Sequence, residues 1–529
     1  MMHKFSESPE IKIERSSFFQ RSGRKQTMDA GNLYPVYVAE ALPGDTVKMN
    51  PTIFGRLNTP LYPLLDNMQL DIQWFSVPMR QLWDNWRKFM GEQANPGDSI
   101  DFTIPQMVAP TAGYGESTLQ DYLEIPPKVK DLSHSAMFTR AYNHIYNEWY
   151  RDQNLIDSAV VDTDNGPDTY TDYVLRKRGK RHDYFTSCLP WLQKPDATYA
   201  NGVTLPLGTT APVIGDGSTF KLARGSSSGT AFNVAVDAPG NVYGTAGTAD
   251  NLYYPDNLAG LDVDLTSATA ATINQLRQAF QIQKLLERDA RSGTRYPEII
   301  AAHFGGVTFQ DASYRPEFLA SGTTSINVQQ VPQTSNDGTN GTVGDLGGYG
   351  TLALRNGGFT KSFTEHCIIM GIVSTRADLT YQQGLPRMFT RQTRYDFFWP
   401  ELQHIGEMAV TNVEIYAQDP ATDTGSTGTP DNERVFGYQE RNADYKYKNS
   451  SICGTLRSSA TASLDAWHLS QEFTGGYPEL GQTFIEETPP MDRVVKVTSE
   501  PDLLVDCLFE AQWARPMSLN STPGLIDHF

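Results

Sequence analysis

Alternating apolar and polar positions mark strands near both ends of the chain. In "MQLDIQWFSVP", Met68, Leu70, Ile72 and Trp74 fall on one face and Gln69, Asp71 and Gln73 on the other. That period of two predicts a half-buried strand closed by Pro78. "LYPVYVAEALPGDTVKMNPTIF" gives two short β-rich pieces around a Pro-Gly-Asp turn. Near the C-terminus, "LLVDCLFEAQW" places Leu503, Val505, Cys507, Phe509 and Ala511 on one side, and "HCIIMGIVSTR" is apolar enough for a central strand. Helical spacing occurs three times. Leu82, Trp83, Trp86, Phe89 and Met90 run up to Gly91. Phe138, Ala141, Tyr142, Ile145 and Trp149 form a stripe within 135–154. Ile273, Leu276, Phe280 and then Leu285 or Leu286 form a third, opened by a Thr272–Gln275 capping-box pattern and ended by Gly293. Beyond Gly293 the pattern reads as a loop.

Between these elements the composition changes. Residues 196–271 are rich in Gly, Ala, Thr, Ser, Asn and Asp and poor in Lys and Arg. The segment is too long for an ordinary loop and is either a surface insertion with short strands or disorder. Smaller patches of similar character span 321–360 and 418–433, and all three read as excursions from a scaffold. Residues 1–30 are polar and mixed in charge, which suggests an extended arm. The strands at both ends, separated by long inserts, predict a β-sandwich closed by N- and C-terminal segments. There is no fixed-period repeat and no βαβ alternation.

Composition narrows the function more than the fold. The chain has 529 residues, a net charge of -18 and 11% aromatic residues. The acidic balance argues against a protein that neutralises a nucleic acid unaided, while leaving room for a local basic face. Four cysteines, Cys188, Cys367, Cys453 and Cys507, form no CxxC pair and read as buried free thiols. No apolar run is long enough for a membrane helix and no signal-peptide pattern opens the chain, so the expectation is a soluble protein made in a reducing cytoplasm.

Candidate chemistry is sparse. "GSSSG" around Ser227 matches GxSxG but lies in low-complexity sequence, and "GDLGGYG" lacks the lysine of a phosphate loop. The histidines have no partners at metal-ligand spacing. In "LERDARSGTRYPEIIAAHFGG", Glu287, Asp289 and Glu298 with His303 would suit a hydrolase. The alternating signs of Glu287, Arg288, Asp289, Arg291 and Arg295 fit better with ion pairs fixing a loop or a subunit contact. "RKRGKRH" is the one concentrated basic run. Arg176, Lys177, Arg178, Lys180 and Arg181, like Arg21, Arg24 and Lys25 on the arm, are candidates for phosphate contact. Arg391, Arg394, Tyr395, Phe397, Phe398 and Trp399 crowd together and are candidates for an interface, as are Arg288, Arg291 and Arg295.

Long ordered motifs then point to a family. "LRQAFQIQKLLERDARSGTRYPEIIAAHFG", "FSVPMRQLWDNWRKFMGE", "KRHDYFTSCLPW", "ADLTYQQGLPRMFTRQTRYDFFWPELQHIGE", "VFGYQERNADYKYK" and the terminal "PGLIDHF" resemble the major capsid proteins of microviruses, in the gokushovirus branch. These are small tailless phages with single-stranded DNA. The likeness runs in order over roughly four-fifths of the chain and skips mainly 196–271. Ser292 stands where the family usually has Gly, and "CLPWLQKP" replaces a more usual "ALPWPQKG".

The resemblance implies a mainly β fold, an eight-stranded antiparallel jelly roll with long loop and helical insertions. It implies a T=1 icosahedral shell of this one chain around a circular single-stranded DNA genome, and no enzyme activity. It further implies a small basic internal DNA-binding protein as partner, with scaffolding and pilot proteins and a host-surface receptor as others. No cofactor is expected, with a structural Ca²⁺ left open. The expected location is the virion, assembled in the bacterial host cytoplasm. Three regions follow: the arm 1–30, a single capsid domain 31–529, and the 196–271 insertion as a protrusion. Within the insertion Gly225, Asn241, Tyr243, Tyr253 and Tyr254 are host-contact candidates. A host-binding appendage outside the shell is the remaining alternative.

Overall fold

A computed structural model describes residues 14–194, 273–305, 310–335, 343–419, 431–474 and 476–520, together with six short strands inside 195–272. Nine strands make one antiparallel sheet. They are β1 (Ser16–Met28), β2 (Tyr34–Ala41), β3 (Thr46–Leu57), β4 (Met68–Pro78), β5 (Glu317–Pro332), β6 (Leu346–Leu354), β7 (Phe359–Ser362), β8 (Cys367–Ala377) and β9 (Leu503–Arg515). Their order is β1-β9-β3-β6-β5-β4-β8-β2, an eight-stranded path, with β7 paired to β3 beside it. The sheet curls until it is nearly closed, which is the mainly β jelly-roll architecture expected from the sequence. The first and last strands of the chain are neighbours: β1 pairs with β9 from Ser16↔Arg515 to Met28↔Leu503. The 1–30 arm therefore contains, from Ser16 on, a thirteen-residue strand.

Alternation explains which side of each strand is dry. On β3, Val47, Met49, Ile53 and Leu57 are buried, and on β9 so are Val505, Cys507, Phe509 and Trp513. These side chains meet Leu70, Ile72 and Trp74 of β4 in the sandwich interior. Each contributes roughly 1.5–3 kcal/mol by leaving water. The strand expected to be half-buried is covered on both faces, with only Gln69 and Gln73 part-exposed. Behind β4 and β8, Phe75, Val77, Ile368 and Met370 pack against helix α1 (Met137–Ile145), Trp83 and Trp86. The second cover accounts for the uninterrupted apolar run of β8. Arg140 of α1 is fully buried and staples the helix down, donating to Asp168 Oδ2 (2.8 Å), Leu82 O (3.0 Å) and Asp164 O (3.0 Å).

Several expectations need correction. Of the four cysteines read as buried, Cys453 is exposed. Residues 321–360 are not an excursion: β5 and β6 are central strands of the sheet. Their glycines answer close packing, because a Cβ on Gly350 would lie 2.6 Å from Leu57 Cβ and one on Gly322 2.7 Å from Asn356 O. The 82–90 stripe forms only a single turn, Trp86–Phe89, ended by Gly91 at φ 101°. The other helices hold. The second stripe becomes α1 plus a wider turn over Tyr146–Tyr150. The third becomes α2 (Ile273–Ser292), with Thr272 outside the described residues. The expected loop after Gly293 carries another helix, α3 (Tyr296–Phe304), with a proline in its first turn.

The chain divides into two compact units, Met1–Leu192 with Gly293–Phe529, and Gln193–Ser292. In the second, the described pieces are α2 and short antiparallel strands. Val242–Gly244, Ala231–Val236, Lys221–Arg224 and Leu252–Tyr253 pair in that order, and Val213–Ile214 pairs with Asp262–Val263.

Candidate assembly and nucleic-acid contact surfaces

The stretch following Gly293 is a polar knot. Arg295 donates to Glu298 Oε1 (3.2 Å), to Arg151 O (3.2 Å) and to Asn147 O, and sits 3.6 Å from Glu148 Oε2. Gln153 donates to Glu298 Oε2 (3.1 Å) and accepts from the Thr294 N–H (2.6 Å). A Cβ on Gly293, at φ 96°, would fall 2.3 Å from Glu298 Oε2. The knot fastens the start of α3 to the turn after α1. Both Glu298 oxygens are occupied by these bonds, so this carboxylate is a strut. Arg295 is spent inside the protein, while Arg288 and Arg291 are exposed on α2. Among the described residues no three His, Cys, Asp or Glu side chains converge on a point that could hold a metal ion.

The 385–405 segment is different, because its rings face solvent. Phe389, Tyr395, Phe397, Phe398 and Trp399 are 45–65% exposed. Short turns hold them there. Asp396 accepts from the N–H groups of Thr393 (2.7 Å) and Gln392 (3.0 Å), bonds that hold its carboxyl below the usual range. The Trp399 indole donates to Arg394 O at 2.8 Å. Arg394 lies over the Tyr395 ring at 4.7 Å and remains at the surface. Arg391 does not: it is paired with Asp444 and stacked 4.3 Å from the Tyr445 ring centroid and 5.4 Å from that of Phe397. The structure adds Met388, Phe389, Tyr445 and Tyr447 to the exposed group. A ledge of this kind has the composition that protein–protein contacts favour.

The basic run turns inward. Arg178 donates to Asp71 Oδ2 (2.6 Å) and Ser374 Oγ (2.8 Å), and Arg376 shares Asp71 at 3.1 Å. Lys180 is buried, donating to Gln471 Oε1 (2.7 Å) and Phe484 O (2.6 Å) with its ammonium 4.6 Å from the Phe484 ring centroid. Burial pushes its pKa down to about 8, against the pull of Glu487 and Asp183. Arg176 lies over Tyr146 at 5.7 Å, Lys177 donates to Thr488 Oγ1 (3.1 Å), and Arg181 reaches Gln69 and Asp378. The backbone joins in: Arg178 N donates to Gly31 O and Lys180 N to Ile485 O, both at 2.8 Å. The run is a connector that ties distant segments together.

On β1, Arg24 is bound to Glu124 Oε1 (3.0 Å) and to Tyr122 O, while Arg21 and Lys25 stay exposed, Arg21 with Glu510 at 3.5 Å. Sequence reasoning missed their neighbours Phe54 and Arg56 on β3. The signal was available, since Phe54 is the apolar residue out of phase in "TVKMNPTIFGRL". Of the host-contact candidates, Tyr243 and Tyr253 lie on short strands, and Gly225, Asn241 and Tyr254 fall outside the described residues.

A family model described as "Capsid protein (F protein)" matches residues 6–525. The chain belongs to that capsid protein family. Capsid protein VP1 of Bdellovibrio phage phiMH2K is 43% identical across the whole of this chain and 98% of its own length. Capsid protein VP1 of Chlamydia phage 1 is 37% identical, covering 99% of this chain and 98% of the relative. That of Spiroplasma virus 4 is 34% identical over the same shares. All three relatives are gokushovirus-type microviruses. The chain is thus a structural capsid protein of the virion and not an enzyme, which disposes of the hydrolase reading of Glu287, Asp289, Glu298 and His303.

Proposed function

We propose that this capsid protein self-associates into a T=1 icosahedral shell that encloses a circular single-stranded DNA genome and turns its 196–271 insertion outward for host attachment. The observation that carries the self-association is the exposed ring ledge of 389–399. Half-exposed aromatic side chains beside an arginine have the composition of interface hot spots, which gain most when fully desolvated. Closed symmetry makes every copy use the same surfaces, each stable contact burying on the order of 1,000–2,000 Å². Arg394 with the rings belongs to these contacts, and Arg288 and Arg291 to another. Assembly takes place in the host cytoplasm. With a net charge of -18 the shell needs help to neutralise a genome. A small basic internal protein supplies it, and scaffolding and pilot proteins take part in assembly.

Sedimentation and negative-stain imaging of the protein from producing cells, with nuclease protection on the same fractions, test this reading. Uniform small icosahedra protecting single-stranded DNA are expected. If the protein stays monomeric when co-expressed with its phage partners, the shell is lost as a function. If empty shells form under the same conditions, genome enclosure is lost.

A further inference from the structure

With 176–181 tied inward, the nucleic-acid contact has to be sought elsewhere, and one sheet face has the chemistry for it. β9 and β3 turn one face to the interior and the other to solvent, and β1 extends the outer face at the sheet edge. Antiparallel register places Lys25, Asp506 and Phe54 side by side in one row and Thr27, Leu504 and Arg56 in the next. A parallel pair of rows holds Arg21, Glu510 and Asn50, then Phe19, Gln512 and Lys48. Phe19, Phe54 and Leu504 are 62%, 43% and 57% exposed. Phe54 has the Arg56 guanidinium 5.7 Å from its ring centroid. Lys25, Thr27, Phe54, Arg56, Leu504 and Asp506 surround a recess of about 460 Å³. Its floor is apolar and its rim carries two cations.

We propose that this recess and the face around it bind single-stranded DNA, with a base stacked on Phe54 and the flanking phosphates held by Lys25 and Arg56. The inference rests on the genome-enclosing function and assigns its contact site. Three features carry it. The face carries four cations, Arg21, Lys25, Lys48 and Arg56, against Asp506 and Glu510, on a chain whose net charge is -18. Among the described residues Lys25 and Lys48 have no ion-pair partner, so their charge is available. An exposed aromatic ring beside cations is the arrangement that holds unpaired bases without sequence preference. A contact between copies of the chain is the competing use of this face, and Lys25, Lys48, Asp506 and Glu510 count against it, because Lys, Asp and Glu are depleted at such contacts. Asp506 is the one carboxylate in the recess, and it opposes a phosphate there.

The test is the affinity of the full-length protein for a fluorescent thymidine oligonucleotide of about 16 bases, the upper end of single-strand site sizes. Phe54→Leu should weaken binding about tenfold, the size of one stacking contact. Arg56→Gln should weaken it and flatten the dependence of log affinity on log salt by about 0.7. Asp506→Asn should tighten it, a gain that a misfolded variant would not give. Binding unchanged in all three variants overturns the assignment. So does a loss of shell yield in Phe54→Leu with oligonucleotide affinity intact, which would make the face a contact between copies. If the variants respond as expected while native particles hold no DNA, the site stands and genome enclosure falls.

Discussion

His144 shows how one side chain sets a condition on the whole fold. It sits near the end of α1 with Nε2 3.2 Å from Gln81 Oε1. The residue keeps some surface, yet its imidazole is surrounded deeply enough that desolvation lowers the pKa from 6.5 to about 4. The unfolded chain takes up a proton as pH falls through about 6.5, and the folded one resists until about 4. Stability from this group is therefore complete above pH 6.5 and lost on the way down to pH 4, by up to about 3 kcal/mol. Replacing it in His144→Phe should flatten the fall in unfolding free energy across that window. Parallel curves for parent and variant, measured by denaturant titration at several pH values, would remove the imidazole from the explanation. None of this was legible in the sequence, where His144 was one histidine among nine. The basic run misled for a related reason. Charge clusters are ordinarily solvated, but Asp71, which receives Arg178, lies 107 residues away along the chain.

At the scale of elements, the sequence spoke clearly where one periodicity met one environment. β3 and β9 alternate because one face is dry and one wet. β8 is continuously apolar because both faces are covered. β5 and β6 were hidden because packing against Leu57 and the Asn356–Gly357 backbone demands glycine, and glycine-rich sequence looks like a loop. The aromatic ledge was legible as a crowd of rings, but only the structure separates its members. Arg394 and Trp399 lie at the surface, whereas Arg391 is locked between Asp444 and two rings. This division gives a prediction. Arg394→Ala and Trp399→Ala should each cut the yield of sedimenting particles by about tenfold or more while leaving protomer unfolding near the parent value, as hot-spot truncations do. Arg391→Ala should instead destabilise the protomer, by about 1–3 kcal/mol for the stranded Asp444 carboxylate. Particle yields that match the parent for both surface variants would mean that the ledge meets something other than another copy.

For the whole molecule, the division into two compact units bears on the proposed separation of shell building from host attachment. The pairing of β1 with β9 at one edge of the sheet joins the two ends of the chain. Every strand of that sheet, and the helix that covers β4 and β8, lies outside Gln193–Ser292. Among the described residues, every member of the sandwich core lies outside Gln193–Ser292. It carries seven Asp against one Lys and one Arg, so it is polar enough to project into water. Long polar segments on a rigid scaffold are where recognition residues accumulate, because they vary without disturbing packing. Replacing 196–271 by a short Gly-Ser linker should therefore leave particle yield and sedimentation unchanged and reduce adsorption to host cells by an order of magnitude or more. Adsorption equal to the parent would take host recognition away from the insertion. Loss of particles would give it a structural part in assembly that the sandwich core does not require.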